Sequence, residues 1–171
     1  MKKLTALACI FLLVTFPGFA QQFEMPDDFT LEVKEDYTKY EQKIIEASKW
    51  LQAVPLNEQK ETRQRISYIV VKWVNGSPTV NVEINLVIID FEEKNKGMLV
   101  LYMATCAQYV LENNYSKDMR AKHKYALKAM MTVYQSGKGI KKDKKMDKLI
   151  KADAEGRLDE WLEENLKINP R

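Results

Sequence analysis

His123 is the only imidazole in the chain, so any histidine-dependent chemistry must run through it. A general base needs a carboxylate or carbonyl to orient it. On a helix the residues three and four positions away from His123 are Met119, Arg120, Ala126 and Leu127, and none of them is acidic. His123 therefore reads as a structural histidine unless another element supplies the acid. Adjacent acids occur at Asp27-Asp28, Glu92-Glu93 and Glu163-Glu164. Neighbours on a helix point about 100° apart, so no such pair forms an acid/base couple by itself. A carboxylate-based hydrolase acting on an envelope polymer would need two acids from different elements facing one cleft, about 5–9 Å apart for glycoside chemistry. No HExxH, CxxC, GxSxG or EF-hand pattern is present, so the sequence implies no metal, no cofactor and no catalytic residue.

Two further groups have chemistry to offer. Tyr102, Cys106 and Tyr109 share a face of an apolar helical stretch rich in Met, a composition that suits an apolar pocket for a small carried ligand. Cys106 itself, in that context, reads as a buried inert thiol. Gly137-Lys138-Gly139-Ile140 superficially resembles a phosphate-binding loop, but the earlier glycine and the terminal hydroxyl are missing. What remains is a helix end followed by a turn whose backbone N–H groups neighbour Lys138, Lys141 and Lys142. With Lys144 and Lys145 these form the candidate anion-binding set.

Charge along the chain supports that set. Residues 117–152 hold twelve Lys/Arg against three acids, a net of +9, while 21–116 carry −5 and 153–171 carry −3. Such a surface suits an anionic partner or envelope component. Arg supplies only one of the twelve cations, and no aromatic side chain alternates with the lysines of 138–151, which argues against nucleic acid. The competing account is that these lysines solvate helix faces and pair with the flanking acidic segments.

The elements that must position these residues follow from hydrophobic periodicity. Tyr37, Tyr40, Ile44, Ala47, Leu51 and Val54 make one stripe, and Pro55 ends that helix, giving 34–54. Thr62, Ile66, Ile69, Val70 and Trp73 mark a second helix, with Asn57 available to cap it and Asn75-Gly76-Ser77-Pro78 to end it. Residues 79–90 alternate as a strand would, but no partner strand is evident. The reading preferred is an extended stretch over 79–82 running into a buried helix at 83–93, the alternative being a strand that pairs with a second chain. Asn95 would cap a central, apolar helix at 96–113, and Ser116 the next, ending at Gln135. Shorter helices follow at about 143–152 and 157–166. The expectation is an all-α single domain over 34–171, irregular or orthogonal in packing, with six to seven helices.

Ahead of it, Lys2 and Lys3 precede an uncharged, mostly apolar stretch at 4–16, then Pro17, Gly18 and Ala20. That is the layout of a signal peptide cleaved after Ala20, with 21–33 as an extended or disordered lead-in. The apolar stretch is short of the roughly 20 residues a spanning helix needs, so no transmembrane span is expected after cleavage. The chain accordingly reads as exported, to the periplasm or beyond. Its expected role is a binding or interaction module with a basic patch rather than an enzyme.

Overall fold

The computed structural model describes residues 23, 24, 26 and 29–168. The expected signal peptide and most of the lead-in lie outside them. The described residues form eight helices and no strand: α1 (Lys34–Lys39), α2 (Glu41–Ala53), α3 (Lys60–Gly76), α4 (Leu86–Lys94), α5 (Met98–Glu112), α6 (Met119–Gln135), α7 (Lys144–Ala154) and α8 (Leu158–Leu166).

The all-α expectation holds, and the helix count exceeds the expected six to seven. One expected helix, 34–54, is two. Tyr40 leaves helical geometry (φ −103°, ψ 3°) and separates α1 from α2. Its ring, 1% exposed, packs against Phe29 at 4.9 Å. The apolar stripe runs unbroken through Tyr40, so periodicity cannot reveal a break made by that packing.

α5 is the axis of the fold, as its all-round apolar sequence requires. Ten of its residues are buried, and it packs against α6, α2, α3 and α4. One continuous core runs from Tyr40 to Leu162 and includes Trp50, Trp73, Phe91, Met98, Leu101 and Leu127. Burying each such side chain contributes roughly 1.5–3 kcal/mol.

Residues 79–85 are extended without a ladder, and the helix starts at Leu86, three residues later than expected. Asn85 sets that start: its Oδ1 accepts the Ile88 N–H at 3.1 Å and its Nδ2 donates to the Asn165 carbonyl at 3.1 Å. A lone extended segment must still satisfy its backbone. Side chains do so here. Lys122 Nζ donates to the Asn81 carbonyl at 2.7 Å, and Ser77 Oγ accepts from the Thr79 and Val80 N–H groups at 3.3 and 3.1 Å.

Three expected caps are reassigned. Gln59 rather than Asn57 stands at the N-cap of α3. Gly97 (φ +100°) precedes α5, and the Glu92 carboxylate accepts from the Gly97 and Leu99 N–H groups, both at 2.9 Å. Asp118 rather than Ser116 caps α6, accepting from the Ala121 N–H at 3.0 Å. A carboxylate at a helix start also meets the positive end of the helix dipole, which a hydroxyl does not.

Candidate functional sites

Asn95, freed from capping, builds the first site. It is 4% exposed, and its amide makes a reciprocal pair with the Lys141 backbone: Oδ1 accepts from the Lys141 N–H at 2.7 Å and Nδ2 donates to the Lys141 carbonyl at 2.9 Å. This clamp brings the 138–141 turn against the α4–α5 corner. Asn57 lies against the same turn from the other side. Gly139 (φ +70°) runs so close to it that a Cβ would sit 2.2 Å from Asn57 Oδ1 and 2.9 Å from its backbone nitrogen. Only glycine fits both that space and that conformation.

Between these elements lies a depression of about 160 Å³ lined by Leu56, Asn57, Lys94, Asn95, Lys96, Gly139 and Lys141. Three lysines from two distant stretches thus border one hollow with no carboxylate in its lining among the described residues. Lys94 and Lys96 were not in the sequence-derived set; the signal for them is their position on either side of Asn95. Of that set, Lys141 reaches the hollow. Lys138, Lys142 and Lys144 are exposed nearby in the chain without an ion-pair partner among the described residues, and Lys145 is bonded to Asp90 at 2.6 Å.

The other half of the basic segment has a different fate. Arg120 meets Glu163 at 2.7 Å and Asp159 at 3.4 Å, Lys124 meets Asp159 at 2.7 Å, and Lys128 meets Asp153 at 3.6 Å. The expected pairing with flanking acidic segments describes α6 and leaves the 138–148 lysines out, Lys145 excepted.

The second site surrounds His123. The acid that sequence spacing could not supply comes from the extended stretch: Glu83 Oε2 lies 3.3 Å from His123 Nε2 and 2.6 Å from Lys122 Nζ. On the other side His123 Nδ1 makes a short contact with the Tyr102 hydroxyl. Lys122 is 3% exposed and His123 1% exposed. Burial, and then the Lys122 ammonium, push the imidazole down to about 4, so the ring is neutral at physiological pH. Burial pushes the Tyr102 hydroxyl far above its ordinary range and the Cys106 thiol up to about 12. Cys106 therefore carries no thiolate at neutral pH, as its apolar context suggests.

His123 and Glu83 border a cavity of about 450 Å³, whose lining also includes Ile84, Asn85, Asp118, Met119, Arg120 and residues 166–168. Tyr102 sits behind His123, fully buried, and so does Cys106. Tyr109 is half-buried on the same helix, its ring 5.6 Å from that of Tyr125. Of the three residues expected to line an apolar pocket, none borders this cavity. Glu83 and Asp118 are two carboxylates from different elements on one cavity, although one Asp118 oxygen is committed to capping α6. No group of three or more metal-ligating side chains is present among the described residues. No described helix is long and apolar enough to cross a membrane.

Comparison with protein-family models, with curated proteins and with solved structures finds no match for this chain.

Proposed function

We propose that the chain is an exported binding module that recognises phosphate-bearing or similarly anionic groups of an envelope component through the hollow between Asn95 and the 138–141 turn. The observation that carries this reading is that Lys94, Lys96 and Lys141 border one concavity without an acid in its lining among the described residues. Three cations bordering one concavity give it a positive field that favours an anion. The Asn95–Lys141 clamp and the Gly139–Asn57 contact fix the backbone beneath them, so less ordering is left for a ligand to impose. Lys138, Lys142 and Lys144 extend the positive field around the hollow and speed the approach of an anionic surface.

The test uses two probes, inorganic pyrophosphate and vesicles containing phosphatidylglycerol, each at low and high ionic strength. Binding is expected to weaken with salt. Replacing Lys94, Lys96 and Lys141 together by Gln is expected to weaken it at least about tenfold, equivalent to about 1.4 kcal/mol. The same change at Lys124 and Lys128, whose charges are already paired, is expected to leave it within about twofold, a margin of roughly 0.4 kcal/mol. Binding to vesicles but not to pyrophosphate would assign the site to a lipid surface. Equal losses for both sets of variants would contradict the reading.

A further inference from the structure

We propose that the 450 Å³ cavity beside His123 is a second binding site, for an uncharged organic molecule with an apolar body and a hydroxyl head. This goes beyond the anion site, shares no lining residue with it, and stands on its own observations.

The walls set the body of the ligand. Ile84, Met119, Leu166 and Ile168 supply apolar wall, with Asn85 and Lys167 also in the lining, and a cavity of this size lies within the range that holds small organic molecules. Arg120 also lines it but is already engaged, through Glu163 at 2.7 Å and the Ile168 carbonyl at 3.2 Å.

The inner wall sets the head. His123 is 1% exposed, and its Nε2 makes no hydrogen bond among the described residues. Its tautomer follows from its neighbours. The Tyr102 hydroxyl keeps its proton, and its contact with Nδ1 is far shorter than the 3.4 Å to the Glu83 carbonyl. Tyr102 thus donates to Nδ1, and the one proton of the neutral ring sits on Nε2. That N–H is 3.3 Å from Glu83 Oε2 but is not aligned with it, and this oxygen is already held by Lys122 at 2.6 Å. The wall therefore offers an unused donor next to a carboxylate. A buried donor without a partner is unfavourable, and a ligand acceptor relieves it.

A hydroxyl fits this pair because it accepts from Nε2–H and donates to the carboxylate in one geometry. A carboxylate head would accept from Nε2–H but has no proton to give Glu83 Oε2. An ammonium head has no acceptor for Nε2–H.

Three probes with one aliphatic body separate these cases at neutral pH: octanol, octanoate and octylamine. The readout is the NMR shift of the Met119 methyl group and of the His123 ring. Octanol is expected to shift both with saturation, and the two charged probes to bind at least about tenfold more weakly, a gap of about 1.4 kcal/mol. Ile84→Trp, at a rim position 40% exposed and so able to take a larger side chain, is expected to abolish the octanol response while far-UV circular dichroism stays native. Glu83→Gln removes the negative charge and is expected to narrow the gap between octanol and octanoate. The proposal is overturned by no response to any probe, by equal responses to all three heads, or by a response that survives in folded Ile84→Trp.

Discussion

Two stretches of the same basic segment end in opposite electrostatic states. On α6, Arg120, Lys122, Lys124 and Lys128 each reach a carboxylate, from α8, from α7 or from the extended stretch at Glu83. In the 138–148 region, Lys138, Lys141, Lys142, Lys144 and Lys148 reach none among the described residues, and Lys145 alone finds Asp90. The net of +9 read from the sequence is therefore not one basic face. The acidic tail folds α8 against α6 and neutralises that half. Of what is left over, Lys141 borders the hollow beside Lys94 and Lys96. Neutralised charge is structural; leftover charge is available to a partner.

The sharpest way to break the comparison is to remove one charge from each region. Lys122 is buried and serves the Asn81 carbonyl and Glu83 together. Lys122→Ala is expected to cost about 2–4 kcal/mol by urea unfolding, because it strips both acceptors of their donor. Lys142→Ala is expected to stay within about 0.5 kcal/mol. Comparable costs at the two positions would mean that pairing does not distinguish them.

Acid should act on the buried region first. His123, faced by Lys122, Glu83 and Tyr102, has a folded pKa depressed to about 4 against an ordinary 6.5. The unfolded chain therefore binds more protons between these values. Its contribution is fully present above about pH 6.5 and is lost as pH falls towards 4, on the order of 2–3 kcal/mol. Asp159 and Glu46, whose carboxyls are held down by hydrogen bonds from Lys124 and Lys43, add a loss of the same sign below their ordinary range. Unfolding of His123→Gln at pH 7.5 and 5 isolates the histidine: its pH slope should be flatter than that of the native chain. An unchanged slope would remove the depressed imidazole from the account.

A smaller effect sharpens the other side. Gly137 and Gly139 have nearly the same φ, +69° and +70°, but a Cβ on Gly137 meets nothing within 4 Å. Gly137→Ala is expected to cost about 1 kcal/mol for the left-handed backbone alone. Gly139→Ala is expected to cost about 1–3 kcal/mol more, since it must also displace Asn57. It should weaken pyrophosphate binding as well, whereas Gly137→Ala should not. Equal thermal shifts for the two would loosen the turn from Asn57.

Much of the fold was legible in the sequence, because its signals are local. The stripe on α3, the all-round apolar α5 and the stop at Gln135 each follow from residues within a turn or two. The break at Tyr40 was not, because it comes from packing against Phe29 and leaves the periodicity intact. The sites were legible only in part for the same reason. Lys141 stood out in its run, but Lys94 and Lys96 became partners through Asn95, 46 residues away. Likewise His123 could not be joined to Glu83 from spacing, since a lone extended segment across the fold carries the acid.

Amide chemical shifts under titration with inorganic phosphate test the division between spent and available charge most directly. Saturable shifts are predicted at residues 94–97 and 138–142, with little change along 119–128. Shifts of equal size along α6, or an unsaturable drift spread over all lysines, would contradict it.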